Sequence, residues 1–368
     1  MRSGPEGTLT VAVIGAGIVG SSVAYRLSEA GASVVLIDYA EPGTGTTSTS
    51  FAWINANNKL PRAYFELNVA GMREHERLRD EIGGGWLHPT GNLIWAEDQE
   101  ILESRVERLR SWSYAAEMLP ASAVNERLEP GATLPEIQIA HFPEECWVDA
   151  PFLTRTLVGV ATRNGMQSHF GDAVRDIEVD YEGVALRLED GNAIRADAVV
   201  NAAGAKGANV AAMVGRRLPL DVFPGLLVRV AVRGEPLSHL LHTPHINIRP
   251  DDAGYILLNH DSIDEELTDD FAGAENPLCT ELLERALRVL PAVEEAAIVE
   301  ARFGMRPVPA DGHSCVGALS EVPGYYEAVT HSGVTLGPLV GRLLAREILT
   351  GEVDPLIAPF RPDRFQDS

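Results

Sequence analysis

The sequence predicts an α/β protein: a discontinuous domain with a parallel sheet covered on both faces, and an inserted α+β domain built on a mostly antiparallel sheet. Two observations lead to this prediction. A strand, a glycine-rich turn and a helix follow one another near residue 9, and the same succession returns near residue 325. The length of 368 residues also exceeds the usual size of one hydrophobic core, which favours two domains.

The composition is typical of a folded globular chain and argues against a nucleic-acid partner. Hydrophobic residues make up 45% of the chain and charged residues 23%. The net charge of -23 opposes nucleic-acid binding, because such binding depends on Lys and Arg side chains that neutralise phosphates. The short leader, residues 1–8, lacks the features of a signal peptide, and no run reaches the roughly 18 apolar residues of a membrane span. We therefore expect a cytoplasmic protein.

Cysteine and histidine spacing predicts no metal site. The three cysteines are far apart and form no CxxC pair, so we expect reduced thiols: Cys146, Cys279 and Cys315. Three histidines are separated by two residues each, but no acidic or thiol ligand accompanies them, which favours a loop: His239, His242 and His245.

The first unit is a strand, a helix and a second strand. Residues 9–14 are a nearly continuous apolar run, residues 18–30 place apolar side chains at helical spacing, and residues 33–37 are a second apolar run. The turn after the first strand reads Gly15-Ala16-Gly17-Ile18-Val19-Gly20. The unit is therefore a βαβ arrangement with a GxGxxG turn.

Each glycine of the turn has a physical task. Gly15 permits the tight turn, Gly17 lets a pyrophosphate approach the backbone, and Gly20 allows the helix to pack closely on the strand. Asp38 closes the second strand, where a carboxylate accepts hydrogen bonds from a ribose hydroxyl. The unit thus predicts a Rossmann-like site for FAD or NAD, and these residues alone do not separate the two.

Two later segments belong to the same layer of the fold. Residues 198–204 form an apolar strand that ends in small residues, where a cofactor can approach the backbone. Residues 325–330 form another strand, followed by a glycine loop over 331–338 and a helix through Ile348. We assign residues 8–80, 150–215 and 300–368 to the nucleotide-binding domain. Residues 81–149 and 216–299 are assigned to the inserted substrate domain.

Four motifs stand in order along nearly the whole chain: residues 13–20 with Asp38, residues 199–204, the segment Gly-Met-Arg-Pro-Val-Pro-Ala-Asp-Gly at 304–312, and residues 331–341. In these motifs the sequence resembles the D-amino acid oxidase superfamily of FAD-dependent oxidoreductases, which includes glycine oxidase, sarcosine oxidase and D-amino acid dehydrogenase. The resemblance implies an extended FAD, its adenine end at the first glycine turn and its flavin end at the C-terminal glycine loop.

The resemblance also implies which residues contact FAD. Thr46 to Ser48 match a hydroxyl-rich loop at the phosphates, Val174 matches a strand residue at adenine, and the backbone of 332–336 faces the flavin pyrimidine. The full set of expected contacts is Gly15, Ala16, Gly17, Ile18, Gly20, Asp38, Tyr39, Thr46, Thr47, Ser48, Ala52, Val174, Ala203, Gly204, Arg306, His331, Ser332, Gly333, Val334, Thr335 and Leu336.

The chain departs from the family pattern at three places. Many relatives carry an arginine inside the loop that here spans 43–50, and a tryptophan where Lys206 or its neighbour stands. Phosphate contacts are therefore expected to differ in detail. Sarcosine oxidases attach the flavin to a cysteine near the segment 302–306, and this segment has none. We therefore expect a noncovalent flavin.

Arg306 is the main candidate for substrate binding, because it stands where the family has an arginine that pairs with a substrate carboxylate. A guanidinium offers a rigid fork of donors that matches a carboxylate. A structural salt bridge or a flavin contact is the alternative role. Further candidates for contacts with the substrate are Tyr255, Asn259 and His260 in a strand expected over the flavin, and Trp53 in the segment expected beside the flavin ring.

These features predict oxidation of a small amine or amino acid, with hydride transfer to FAD and hydrolysis of the resulting imine. The substrate is expected to carry a carboxylate, and oxygen or another acceptor reoxidises the flavin. Two alternatives remain open. The first is oxidation of a 2-hydroxy acid or a polyol phosphate, with His260 or His331 as base. The second is an FAD-binding subunit without turnover.

Overall fold

The computed structural model describes residues 8–234, 237–252, 254–268 and 271–365, so that most of the leader, residues 1–7, lies outside the described residues. The helices are α1 Ile18–Glu29, α2 Arg62–Ile82, α3 Gln99–Ser111, α4 Ala121–Arg127, α5 Ala150–Arg163, α6 Gly207–Met213, α7 Asp261–Asp264, α8 Pro277–Val289 and α9 Gly333–Thr350. The strands are β1 Thr10–Ile14, β2 Ser33–Asp38, β3 Trp53–Ile54, β4 Leu87–His88, β5 Asn92–Ile94, β6 Glu117–Pro120, β7 Gln138–Phe142, β8 Cys146–Val148, β9 Gln167–Phe170, β10 Val174–Asp180, β11 Gly183–Leu188, β12 Ala193–Ala196, β13 Ala198–Asn201, β14 Leu220–Ala231, β15 Leu240–His242, β16 Asn247–Pro250, β17 Tyr255–Asn259, β18 Ala297–Pro309, β19 Cys315–Ala318 and β20 Tyr325–Val329.

A six-stranded sheet in the order β19-β20-β13-β1-β2-β9 gathers strands from distant parts of the chain. β1 pairs in parallel with β2 and β13, β13 with β20, and β2 with β9, while β19 is antiparallel at the edge. The predicted strands near residues 9, 33, 198 and 325 all form, and all lie in this sheet.

The two faces of this sheet are covered differently. Val11 and Val13 of β1 pack against helices α1, α5 and α9. Ala12 and Ile14 point to the other face and pack against the antiparallel sheet β10-β11-β12. All five residues of β1 are buried, as the continuous apolar run predicts.

A second sheet has eight strands in the order β18-β14-β17-β16-β15-β5-β7-β6 and is antiparallel except for the pair β15 and β5. One of its faces is apolar and packs under α8, through Leu282 and Ala286. The expected domain boundary at residue 300 falls inside β18, which pairs along its length with β14. The pairing of β18 with β14 could not be read from the sequence, because strand partners are set by tertiary contacts.

Helices α1 and α9 cross at glycine contacts. A Cβ on Gly341 would lie 2.6 Å from the backbone of Ser22, and a Cβ on Gly337 would lie 3.1 Å from the Ile18 side chain. The N-termini of the two helices therefore lie side by side at one edge of the parallel sheet. Within the part of the chain that the structure describes, no helix is long and apolar enough to cross a membrane.

We predict that Gly341→Ala lowers the free energy of unfolding by about 1–3 kcal/mol, because its methyl group would overlap the α1 backbone. Urea unfolding followed by circular dichroism measures this change. Gly159→Ala in α5 is the matched control, since a Cβ there meets only the Arg163 side chain at 3.7 Å. The control is expected to gain about 0.5–1 kcal/mol from helix propensity. Equal stability of the two variants would contradict the prediction.

Candidate active site

The glycine turn between β1 and α1 leaves no room for side chains. Gly15 has a φ of 107°, and a Cβ on it would lie 2.3 Å from the Ala202 carbonyl oxygen and 3.0 Å from the Ala203 Cα. A Cβ on Gly20 would lie 1.9 Å from the Gly15 carbonyl oxygen. β1, α1 and the end of β13 therefore meet through backbone alone, and Gly204 follows with open space around it.

Asp38 lies beside this turn at the end of β2. Its carboxylate oxygens accept from the backbone N–H of Ala16 at 2.6 Å and of Ala40 at 2.9 Å, and each oxygen keeps a second lone pair. The next residue, Tyr39, is exposed, with the Lys206 ammonium 3.6 Å above its ring. Val174 opens β10 close by, since the Asp172 N–H donates to the Asp38 carbonyl.

The loop before β3 connects the glycine turn to β18. The Thr47 hydroxyl accepts from the Ile18 N–H at 3.1 Å, and the Thr46 hydroxyl donates to the Met305 carbonyl at 2.6 Å. The Ser48 hydroxyl donates within its own loop to Thr44 and Gly45. Together with the first-turn N–H groups of α1, which have no acceptor within the helix, this arrangement fits a dinucleotide pyrophosphate.

The start of α9 lies against the same region. Tyr64 donates to the Ser332 hydroxyl at 3.1 Å, the His75 ring bonds to the Val334 carbonyl at 2.8 Å, and Thr335 donates to the Trp53 carbonyl at 3.4 Å. Ala52, just before Trp53, takes a φ of 57° and bends the chain there. The predicted flavin-facing residues 331–336 and 52–53 are therefore in contact.

The face of the eight-stranded sheet opposite α8 carries a polar row. His242 pairs with Asn247, and Asn247 pairs with Asn259, across β15, β16 and β17. Cross-strand partners share a face of the sheet, whereas consecutive residues of one strand point to opposite faces. This row therefore lies on the face opposite to the one that carries Leu241, Ile248 and Leu258 of the apolar core. The Asn259 Oδ1 atom is buried and has no hydrogen-bond partner in the structure.

His242 is fixed in one tautomer at the end of this row. Its ring stacks on Trp53 with centroids 3.9 Å apart, and its Nδ1 lies 2.8 Å from Asn92 Oδ1. Asn92 donates through Nδ2 to Glu145 at 2.8 Å, so its Oδ1 must accept and His242 Nδ1 must carry the proton. Burial lowers the pKa of His242 to about 3. The ring is therefore neutral, with Nε2 as a hydrogen-bond acceptor.

Glu145 is the buried centre of this arrangement. Its carboxylate accepts from Trp53 Nε1 at 2.8 Å, Tyr114 OH at 2.8 Å, Asn92 Nδ2 at 2.8 Å and Asn57 Nδ2 at 3.0 Å. Burial raises the pKa of Glu145 to about 7, and these four donors oppose the shift. One carboxylate thus orients both Trp53 and, through Asn92, His242.

Arg306 projects from β18 and forms ion pairs with two aspartates, Asp264 and Asp261. Its Nη2 lies 2.9 Å from the buried Asp264 and donates to the Pro224 carbonyl at 3.1 Å. Its Nη1 lies 3.4 Å from the exposed Asp261, and its Nε is buried without a hydrogen-bond partner among the described residues. His331, which lies just before α9, is exposed. Partial desolvation lowers the pKa of His331 to about 4, and the positive charges of Lys59 and Arg306 add to this effect.

The model of the family described as FAD dependent oxidoreductase matches residues 10–347. The chain belongs to this family. Family membership confirms the resemblance and, with it, FAD as the cofactor.

Several relatives of this family are similar along nearly the whole chain. Glycine oxidase of Geobacillus kaustophilus is 27% identical across 95% of each chain, and glycine oxidase of Bacillus licheniformis is 26% identical across 93% of each. The crystal structure of glycine oxidase from Geobacillus kaustophilus has a TM-score of 0.87 at 24% identity, covering 97% of this chain and 99% of that one. Iminodiacetate oxidase from Chelativorans sp. BNC1 has a TM-score of 0.82 at 23% identity, covering 96% and 98%.

Two predicted substrate contacts of this FAD-dependent oxidoreductase do not lie with the others. On β14, Ala231 pairs with Tyr255 and Phe223 pairs with Arg306. These two positions of β14 are eight residues apart, which is up to about 26 Å along the strand. Tyr255 instead contacts the Arg229 guanidinium, 3.8 Å from its ring. The structure therefore does not bring Tyr255 and Arg306 together.

The expectation for His260 is also corrected. Its Nδ1 accepts from the Ser262 N–H and caps α7. The ring lines an open groove of about 830 Å³ with residues of α8, on the side away from Asn259. Adjacent residues of an extended chain point to opposite faces, so Asn259 and His260 do not face the same side of the sheet.

The three spaced histidines have separate partners. His239 bonds to Glu129 at 2.8 Å, His242 to Asn92, and His245 lies 3.7 Å from Glu97. Among the residues described, no group of three His, Cys, Asp or Glu side chains is arranged to hold a metal ion. Sequence reasoning missed the importance of His242, Asn92 and Glu145, although a buried amide and a buried acid within apolar segments were a usable signal.

We predict that Glu145→Gln lowers the free energy of unfolding by at least about 2 kcal/mol, because the amide nitrogen would face donors that have no other acceptor. Urea unfolding measured through tryptophan fluorescence tests this. Glu144→Gln is the matched control on an exposed neighbour and is expected to stay within about 0.5 kcal/mol of the parent. A Glu145→Gln variant as stable as its control would rule out the proposed organising role.

Proposed function

We propose that this FAD-dependent oxidoreductase oxidises the C–N bond of a small amine or amino acid. The observation that carries the proposal is the fixed, neutral His242, whose Nε2 is an acceptor suited to an amine N–H. Relatives named glycine oxidase and iminodiacetate oxidase support the same substrate class. When bound, FAD would supply a hydride acceptor, its N5 atom, for oxidation of the carbon next to nitrogen, and the imine product would hydrolyse.

The proposal includes the domain arrangement and the mode of cofactor binding. Residues 8–80, 150–215 and 310–368 would form the nucleotide-binding domain, with β18 moved to the substrate domain because it pairs with β14. The flavin would be noncovalent, since the segment 302–306 contains no cysteine and the three cysteines of the chain are buried and free.

The protein's own groups then hold the substrate nitrogen. His242 Nε2 accepts one N–H, and the unpartnered Asn259 Oδ1 on the same row offers a second acceptor. These two acceptors would hold a neutral amine by its N–H groups. In that orientation the nitrogen lone pair stays free to support hydride loss. Trp53 would contact the substrate beside these acceptors, because it is stacked on His242 and tied to Glu145.

Arg306 would bind the substrate carboxylate. Its Nη1 pairs at 3.4 Å with Asp261, an exposed side chain that a substrate carboxylate would displace. The ion pair with Asp264 holds the other edge and fixes the direction of the fork. Arg306 therefore combines the structural and the binding role that the sequence left as alternatives.

Oxidation of a 2-hydroxy acid is the second candidate, favoured by the same His242 Nε2, which can also accept a hydroxyl proton. Anaerobic mixing of the purified flavoprotein with small amino acids, 2-hydroxy acids and polyol phosphates separates the candidates. We expect the yellow colour to bleach with an amino acid and return when oxygen or an artificial acceptor is added. Bleaching only by hydroxy acids supports the second candidate, and no bleaching at all indicates a subunit without turnover.

We predict that Arg306→Lys raises the KM for a carboxylate substrate about 10- to 100-fold, because the charge remains while a charged hydrogen bond of the fork is lost. The flavin absorbance should persist, since the glycine turn and the α9 loop are untouched. Steady-state kinetics together with the visible spectrum check both statements. Arg346→Lys, an exposed arginine on α9, is the control, and an unchanged KM in Arg306→Lys would remove Arg306 from the carboxylate role.

A further inference from the structure

Two stacked pairs of side chains lie next to each other between two sheets. The Trp53 and His242 rings stack with centroids 3.9 Å apart. The Arg249 guanidinium carbon lies 4.0 Å from the centre of the Trp147 ring. Trp53 and Trp147 are cross-strand partners on β3 and β8, so their side chains point to the same side of that short sheet. The Trp147–Arg249 pair is therefore next to the pair proposed to hold the substrate amine.

Arg249 belongs to the polar face of the eight-stranded sheet. It stands two residues after Asn247 on β16, and Ile248 between them points into the apolar core under α8. Asn247 pairs with His242 on β15. One strand across and two residues along correspond to about 8 Å between the Cα atoms of His242 and Arg249. A short carbon chain therefore spans the distance from one side chain to the other.

Three buried donors lie together at the Trp147–Arg249 pair. Trp147 is 2% exposed and Arg249 is 4% exposed. The Trp147 Nε1 atom and the Arg249 Nε and Nη1 atoms are buried and have no hydrogen-bond partner among the residues that the structure describes. A buried donor without an acceptor costs roughly 1–3 kcal/mol, and a charged donor costs more. Because all three groups are donors and one side chain is a cation, the ligand that satisfies them is an anion with several acceptor sites.

The carboxylates near Arg249 leave these donors unpaired. Asp251 Oδ1 lies 3.5 Å from Arg249 Nη2, while Asp251 Oδ2 accepts from Arg229 Nε at 2.7 Å. Asp149 caps α5 by accepting from the Phe152 N–H at 2.8 Å. Neither acid accepts from Arg249 Nε or Nη1. Burial lowers the pKa of Arg249 to about 10, so the guanidinium keeps its charge near neutral pH.

We propose that Arg249 and Trp147 bind a second carboxylate of the substrate, distinct from the one assigned to Arg306. The inference rests on the proposed function and narrows it to substrates that carry a further acidic group a short carbon chain away from the amine. A guanidinium stacked on an indole presents its donors in fixed directions, and the indole N–H adds a neutral donor. Amino acids with an acidic side chain would therefore be better substrates than the corresponding side-chain amides.

Phe51 is in contact with both stacked pairs. Its ring centroid lies 5.5 Å from that of His242, and the Arg249 guanidinium carbon lies 6.0 Å from it. Phe51 is half-buried and belongs to the loop before β3. A rotation of this side chain would admit the carboxylate to Arg249 from the side of His242.

Ligand binding to the FAD-loaded protein tests the site without turnover. Glutarate has two carboxylates, whereas pentanoate has the same number of carbon atoms and only one. Each is titrated while the visible flavin spectrum is recorded. We expect glutarate to bind about 10- to 100-fold more tightly than pentanoate, because hydrogen bonds to a buried charge are gained. Equal Kd values for the two ligands would overturn the proposal.

Two variants locate the second carboxylate. Arg249→Met should raise the glutarate Kd to that of pentanoate and leave the pentanoate Kd unchanged. Trp147→Phe keeps an aromatic ring over Arg249 but removes the N–H, and should raise the glutarate Kd about 3- to 10-fold. Arg233→Met replaces an exposed cation that pairs with Glu295, and this matched control should bind both ligands like the parent. Parent-like glutarate binding in Arg249→Met and Trp147→Phe would reject the site.

A direct readout uses the indole N–H groups. The chain has five tryptophans, and protein made with nitrogen-15 tryptophan gives one indole signal for each. Trp147→Phe assigns the signal of Trp147. We expect glutarate, but not pentanoate, to move this signal to lower field, as a new hydrogen bond does. A signal that ignores glutarate overturns the proposal even if Arg249→Met does not fold.

The same signal distinguishes a substrate carboxylate from an anion of the solution. Sodium chloride at the concentration of glutarate should leave the Trp147 signal in place. An equal movement with chloride would make this a site for inorganic anions and would overturn its role in substrate binding.

The results also separate this site from the reaction. Oxidation of amino acids together with equal binding of glutarate and pentanoate would reject the second carboxylate site and keep the proposed function. Tighter binding of glutarate that is lost in Arg249→Met, without oxidation of any amine by the parent, would keep the carboxylate site and reject the proposed reaction.

Discussion

The close approach of α1 and α9 on the parallel sheet is the constraint on which the rest of the structure depends. Backbone contacts at Gly15, Gly20 and Gly341 leave no space for a Cβ, so the two helices begin side by side at the carboxyl edge of β1, β13 and β20. N–H groups at helix starts carry partial positive charge and lack partners within the helix. One edge of the sheet thereby gathers the two glycine loops that an extended dinucleotide requires.

The eight-stranded sheet contributes through its alternation. Its face under α8 is apolar, and the opposite face presents His242, Asn247 and Asn259. The buried Glu145 carboxylate orders the side chains on this face. It accepts a hydrogen bond from Trp53, and through Asn92 it fixes the proton of His242 on Nδ1. Hydrogen bonds from four donors hold the Glu145 carboxylate in place, which would suit the orienting role proposed for His242.

Charge on the whole chain and charge at the candidate site have opposite signs. The net charge of -23 makes the chain strongly acidic, whereas the half-exposed Arg306 is a cation that the buried Asp264 holds in place. At physiological salt the field of distant surface charges is screened within about 8 Å. A local cation can therefore act on an anionic group despite the sign of the whole molecule.

The sequence by itself determined the features that local chemistry encodes. The strand, the GxGxxG turn, Asp38 and the α9 loop were predicted, because apolar periodicity and glycine requirements act within a few residues, and motif order then identified the FAD family. Only the tertiary structure decided which side chains share the site. Strand register separated Tyr255 from Arg306, and residues as distant in sequence as Trp53, Glu145 and His242 were brought together, because pairing and burial depend on contacts between distant segments.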